Sequence, residues 1–454
     1  MTRTIQAAAE ELRTGGVRSR DLVTQALEAA DRNDDTLGVF IDRYDETALA
    51  DADDRDRELH NGTDRGPLHG IPIGVKDVIS TEEGPTTAQS RALEPEWGSF
   101  GDAEAVRRLR EAGAIIIGKV TTMEFAGGMI ADDNPYPIPK NPWDTRRWPG
   151  GSSSGSAVGV AADMMLGALG TDTGGSVRCP AGFCGITGLK ATYDAVPKSG
   201  VTPMGFSFDT VGPMARSAWD CAALYEVLSG QPVLEGLTRR DFTGVTIGLD
   251  RSMLRQRSDA DPAVEPALDD VADVLETLGA RVVEVTVPFV AELADAAFLQ
   301  SAAEGYSWHR NRLRAHWDEY GADLKSTLMK GLMTAGDMVQ LDRVRAIAGR
   351  EIAKLFEGID GLLFPTAHRG APLLDQMADL DGLPRFTAAW NAVGYPALTV
   401  PIGFSAEGLP LGAQFIAPAG RDDFVLALGH AFQQHSAWHL ATPGDRSTGV
   451  PSQP

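Results

Sequence analysis

Gly150-Gly-Ser152-Ser-Ser-Gly155-Ser-Ala157, followed by Gly170-Thr-Asp-Thr-Gly-Gly-Ser176-Val-Arg178-Cys-Pro180, is the stretch on which the reading of this chain turns. From Gly150 to Gly188 the sequence is dominated by Gly, Ser, Thr and Ala, the composition of a flexible linker. The same stretch carries Val158, Val160, Met164, Met165, Leu166, Leu169 and Phe183. Small residues mixed with apolar ones predict closely packed backbone, not a solvated tether. A serine placed directly after Thr-Gly-Gly sits where consecutive amides can converge on one point, as an oxyanion requires.

Upstream, Gly70-Ile-Pro-Ile-Gly-Val-Lys76-Asp77 ends a short apolar run on a lysine. Most lysines run their stems to the surface and keep the ammonium wet. A lysine at the end of a buried strand loses that hydration, and its pKa falls toward the neutral, basic form. The run Ile71–Val75, a helical segment Asp102–Ala112 and the run Ala114–Ile117 alternate in the α/β manner. Val245–Leu249, a helix over Val264–Leu278 and Arg281–Val287 read as a βαβ-like unit, and residues 290–358 as mostly helical. Gly361–Phe364, Ala397–Val400 and Leu411–Ile416 are strand candidates before a final helix near 423–436. At the start, two short helices are expected, the second capped by Ser19. Residues 45–65 read as an exposed helix plus turn, 127–151 as a structured loop, and 444–454 as a disordered tail.

Three familiar motifs fail on their surroundings. Gly113-Ala-Ile-Ile-Ile-Gly118-Lys119-Val120 approaches a phosphate loop, but its interior is β-branched and its last position lacks the hydroxyl that holds magnesium. Gly151-Ser-Ser153-Ser-Gly155 matches a nucleophile elbow with Ser153 as nucleophile. An elbow needs an apolar strand before it, and Asp144-Thr-Arg-Arg-Trp-Pro-Gly150 is loop sequence. Its histidine would come from His309, His316, His368, His430, His435 or His439, none in a distinctive setting. No serine stands three residues before a lysine, which removes the Ser-x-x-Lys hydrolases.

Composition narrows the partners. The 454 residues carry 41 Lys+Arg against 63 Asp+Glu, a formal charge of −22, which disfavours nucleic acid and anionic membranes as partners. No run of about 18 apolar residues is present, so no membrane span is expected. Three cysteines without a Cys-x-x-Cys pair suit a reducing cytoplasm and suggest no metal site. Hydrophobic residues at 43% suffice for a large core.

Taken together, Lys76, the Gly150–Ala157 loop and the Gly170–Pro180 loop resemble the amidase signature family of serine hydrolases. The 24-residue interval from Ser152 to Ser176 matches that family, as do Asn141-Pro142, Gly185-Ile-Thr-Gly-Leu-Lys190, Asp209-Thr-Val-Gly-Pro213 and Asn391-Ala-Val-Gly-Tyr-Pro-Ala397. The resemblance implies an α/β fold, one large mixed β-sheet surrounded by helices, spanning residues 1–443 as a single domain. Within it, 1–65 would supply N-terminal helices, 66–220 the catalytic core and 290–358 a helical, substrate-lining part. It further implies Ser176 as nucleophile, Ser152 as a relay behind a cis Gly151–Ser152 peptide, and Lys76 as base. The amides of Thr173, Gly174, Gly175 and Ser176 would form the oxyanion hole, with Asp172 and Arg178 bracing the site and no cofactor or metal required.

The expected reaction is cleavage of amide C–N bonds in a small molecule, with anilides, carbamates (urethanes) and esters as related substrates. Met123, Phe125, Gly127, Gly128, Met129, Met204 and Phe206, with Met329, Leu332 and Met333, suggest a pliable apolar pocket for aryl or alkyl groups. The chain would act as a monomer or homodimer in the cytoplasm. Two other readings are an amidotransferase A-like subunit of a glutamine-dependent complex and a binding module without catalysis. Ser154 in place of the usual glycine, Lys190-Ala-Thr-Tyr-Asp194, Ala195 and the acidity argue against the first. The intact Lys76, Ser152 and Ser176 argue against the second.

Overall fold

The computed structural model describes residues 3–129, 134–379 and 383–444. Eleven strands of the described residues hydrogen-bond into one mixed sheet. They are β1 (Phe40–Arg43), β2 (Pro72–Lys76), β3 (Ile115–Val120), β4 (Gly167–Asp172), β5 (Thr187–Lys190) and β6 (Thr210–Ala215). The second half supplies β7 (Thr246–Leu249), β8 (Arg281–Glu284), β9 (Gly361–Pro365), β10 (Ala397–Phe404) and β11 (Pro410–Ile416). Their order across the sheet is β1-β3-β2-β4-β6-β5-β10-β11-β9-β7-β8.

The parallel pairs β2–β3, β2–β4, β7–β8 and β7–β9 lie toward the two ends, and antiparallel pairs fill the middle. Every residue of β2, β3, β4, β6 and β9 is buried, as expected of strands covered by helices on both faces. Strand β4, Gly-Ala-Leu-Gly-Thr-Asp, is too poor in large apolar residues to announce itself. Its small side chains admit the loop and helix at Ser153–Ala161 at short range: a Cβ on Gly170 would lie 2.7 Å from Ser153 Oγ. Gly- and Ser-rich composition here means close approach of backbones.

The remaining elements follow the expected alternation, with local differences. The second helix runs Ser19–Leu37, nineteen residues, so it is not short. Ser19 does not cap it: its Oγ is buried without a partner, and Asp56 takes the Ser19 amide at 2.7 Å instead. Residues 290–358 fold as the helices Val290–His316, Ala322–Met329 and Ala335–Leu355, the first packed on the short helix Ala388–Ala392. Of the 444–454 tail, residues 445–454 lie outside the described residues.

Candidate active site

Three sequence-distant segments converge because of sheet register. Strand β2 runs parallel to β4, with Val75 opposite Leu169, so Lys76 at its end reaches Thr171. Strand β6 runs antiparallel to β4 with Thr210 opposite Asp172, which sets Asp209 beside Thr173. The Gly150–Ser153 loop then enters the helix Ser154–Ala161 and closes over the end of β4.

Lys76 is fully buried (0% exposed), and its company is uncharged. Its Nζ lies 2.7 Å from Ser152 Oγ, 3.0 Å from Ser153 Oγ, 2.8 Å from Thr171 Oγ1 and 3.4 Å from Thr171 O. Burial pushes the ammonium down from 10.5 to about 7, against the weaker opposing fields of Asp172 and Asp209. Lys119, one strand over and equally buried, provides the contrast: its Nζ sits 2.7 Å from Asp77 Oδ1 in an ion pair. The two lysines share burial but not charge compensation: Lys119 also donates to Thr86 Oγ1 at 2.9 Å, whereas the hydrogen-bond partners of Lys76 are all neutral.

The peptide Gly151–Ser152 is cis. Ser153, the elbow candidate, is fully buried; its hydroxyl donates to Thr171 O at 3.1 Å and accepts Thr171 N–H at 3.2 Å. That engagement makes it a clamp on Lys76 and β4, with no face left for a substrate. Ser176 is half-buried in the turn between β4 and the helix Arg178–Cys184, and its carbonyl accepts Ser153 N–H at 3.1 Å.

The turn that presents Ser176 is built around one buried ion pair. Arg178 Nη2 meets Asp172 Oδ1 at 2.9 Å, both side chains at 0% exposure. Burial alone would raise the Asp172 carboxyl, but Arg178 and the Asn391 amide outweigh it and hold it well below the usual range. Arg178 also donates to Gln414 Oε1 at 3.0 Å and Thr387 O at 2.9 Å, and Asn391 donates to Asp172 Oδ1 at 2.9 Å. The pair is thus wrapped in hydrogen bonds, which is what makes a buried charge tolerable.

Among the four amides expected to form an oxyanion hole, Gly175 N–H donates to Asp172 Oδ1 at 2.7 Å. That bond engages the Gly175 amide in bracing the turn. Gly175 holds φ at +130°, and a Cβ there would collide with Thr387 Oγ1, so no side chain fits. Thr387 Oγ1 donates to Gly174 O at 2.6 Å and fixes the turn from the other side.

The expected pocket residues divide. Met123 is half-buried against Gly151, and Met204 lies against Gly127, where a Cβ would stand 2.6 Å from its Cε. A Cβ on Gly128 would fall 2.6 Å from Leu324 Cβ, so this loop packs directly on the helix Ala322–Met329. Met129 is half-buried, and its amide donates to Asp323 Oδ2 at 2.7 Å. Phe125 is different. At 1% exposure it is enclosed by Trp308, His309 and Tyr320 and supports the loop from behind. Phe206 is 66% exposed beneath Lys198, whose Nζ lies 4.5 Å from its ring centre. Leu332 is also exposed, whereas Met329 and Met333 are partly buried.

The reading of the sequence missed Thr171, Thr387, Gln414 and the uncharged setting of Lys76. Thr171 stands next to Asp172 in a phrase already singled out, so its position on β4 was the available signal. Thr387 and Gln414 reach the site from more than 200 residues away and leave no local trace.

Comparison with known proteins agrees with this fold. The Amidase family profile matches residues 21–426. The chain is 35% identical over 485 aligned positions to a glutamyl-tRNA(Gln) amidotransferase subunit of Chromohalobacter salexigens, covering 97% of this chain and 98% of that one. It is 30% identical to the native peptide amidase from Stenotrophomonas maltophilia, with TM-score 0.82 over 98% of this chain and 99% of that one. A chain from a vestigial protein complex linked to an s-triazine catabolic enzyme superposes with TM-score 0.88 at 29% identity, covering 95% and 98%. By sequence profile, fold and relatives, this chain belongs to the amidase (amidase signature) family.

Proposed function

We propose that this chain is a stand-alone amidohydrolase that cleaves amides bearing apolar or aryl groups through an acyl-enzyme on Ser176. The observation that carries the reading is the buried Lys76 amine, 2.7 Å from Ser152 Oγ and without a carboxylate partner among the described residues. Neutral Lys76 takes the Ser152 proton as Ser152 takes that of Ser176. The Ser176 oxygen attacks the carbonyl carbon, and the amides of Thr173, Gly174 and Ser176 receive the developing oxyanion. The relay then runs backwards, the proton passes to the leaving nitrogen and the C–N bond breaks. Water, activated by the same relay, releases the acid and restores Ser176.

Met123, Met129 and Met204 around the loop at Gly127–Gly128 support an apolar, adaptable pocket. Anilides, carbamates and activated esters pass through a similar tetrahedral oxyanion, so the relay serves them too. The test is a panel of p-nitroanilides, aryl carbamates, small aliphatic amides and dicarboxylic monoamides. Turnover of the aryl compounds is expected; turnover of the charged monoamides alone would overturn the apolar pocket.

The amidotransferase relative supplies a second reading, in which the chain is the A-like subunit of a glutamine-dependent complex. Glutamine-dependent activity that appears only with co-purified subunits would favour it. A cytoplasmic monomer or homodimer active alone is what the first reading expects.

A further inference from the structure

We propose that Asp209 is a positioning residue that locks the Thr173 oxyanion turn to the pocket wall at Met204–Gly205, so that substrate seating and oxyanion binding are set together. The inference rests on the serine-hydrolase reading above and adds to it a residue outside the Lys76–Ser152–Ser176 relay.

The ladder places it there. With Thr210 opposite Asp172, continuing the register outward sets Thr173 beside Asp209, the residue immediately before β6. Thr173 Oγ1 donates to Asp209 Oδ1 at 2.5 Å. Met204 N–H reaches Oδ2 at 3.0 Å, and Gly205 N–H reaches Oδ1 at 3.1 Å and Oδ2 at 3.2 Å. One buried carboxylate thus holds one hydroxyl of the oxyanion turn and two amides of the pocket loop. The loop has little room to move otherwise: a Cβ on Gly205 would lie 2.7 Å from Ser301 Cβ and 3.1 Å from Thr173 Cγ2. Met204 carries the linkage outward to Gly127. Asn391 Nδ2, already on Asp172, also approaches Phe208 O at 3.5 Å.

The charged groups around Asp209 are Lys76 at the end of β2, Asp172 on β4, Lys198, and Glu304 on the helix Val290–His316, which accepts Ser207 N–H at 2.8 Å. Burial raises the Asp209 carboxyl to about 6, while Thr173 and the loop amides oppose that rise. In its charged form Asp209 favours protonated Lys76, so removing the charge lowers the Lys76 pKa further. This gives a readout that a purely structural residue would not move.

The experiment uses phenylmethanesulfonyl fluoride, which sulfonylates a reactive serine without needing the natural substrate. Inactivation rate constants and KI are measured from pH 5.5 to 10 for wild type, Asp209→Asn, Thr173→Val and the double variant, normalised to folded protein. Asp209→Asn is expected to slow inactivation about 10-fold through loss of alignment, and to shift the rising limb to lower pH. Thr173→Val is expected to slow it comparably, with the double variant little worse than either single one. A folded Asp209→Asn protein with wild-type rate constant and unshifted limb overturns the proposal, as do strictly additive effects. Failure of wild type to react at all would instead overturn the serine-hydrolase reading.

Discussion

The pH dependence of acylation follows from the setting of Lys76. The ammonium falls from 10.5 to about 7 because burial strips its water and no adjacent carboxylate replaces it. At pH 8 a base titrating near 7 is roughly 90% neutral, whereas one at an ordinary lysine value is below about 1% neutral, a difference of some ~300-fold in available base. Labelling by a fluorophosphonate, which needs the same activated serine, should therefore rise with unit slope below pH 7 and level off by about pH 8–9. The assay is the pseudo-first-order labelling rate at fixed probe across pH 5.5–10, with Lys76→Met as control, expected to fall by about 100-fold or more.

The sign on stability is fixed by the same values. Between about 7 and 10.5 the unfolded chain binds the proton that folded Lys76 has released, so this lysine's cost is full below pH 7 and vanishes as pH nears 10.5. Lys76→Met should accordingly show a flatter rise of stability over that window. A rate that is flat across the range, or a midpoint near 10, would refute Lys76 as the base.

Other substitutions probe the surrounding supports. Arg178→Met leaves Asp172 buried and unpaired, so it should cost about 3–5 kcal/mol by chemical denaturation, more than any exposed ion pair. Ser153→Ala removes a hydroxyl that serves both Lys76 and Thr171, and should cost about 1–3 kcal/mol while the site of labelling stays unchanged. Gly128→Ala drives a methyl group against Leu324 and should displace the helix Ala322–Met329, raising KM more than it lowers kcat in steady-state assays. Dialysis against a chelator should leave the labelling rate unaltered, since the proposed relay takes its base from Lys76.

Much of this was legible in the sequence because the proposed chemistry rests on residues that are distinctive on their own. A lysine ending an apolar run and two serines in glycine-rich turns mark their positions whatever the tertiary fold. The same is true of β2 and β3, whose Ile and Val content states burial directly. Strand β4 was hidden, since Gly-Ala-Leu-Gly-Thr-Asp has the composition of a loop until a helix is laid against it. Strands β5 and β6 were hidden for a similar reason, each interrupted by glycine or proline. Asp209 stood in a quoted phrase, but its attachment to Thr173 needs the register of β4 and β6. Phe125 was read as pocket lining from its type and neighbourhood, and only packing against Trp308 and Tyr320 reveals it as interior. Side-chain type speaks for burial; it is silent on which face of a loop is wet.

The central claim is that Ser176, served by Ser152 and Lys76, is the nucleophile. Fluorophosphonate labelling followed by peptide mass spectrometry tests it most directly. The account predicts a single adduct on Ser176, lost in Ser176→Ala and retained in Ser153→Ala. An adduct on Ser153, or an unlabelled Ser176 in folded protein, would contradict it.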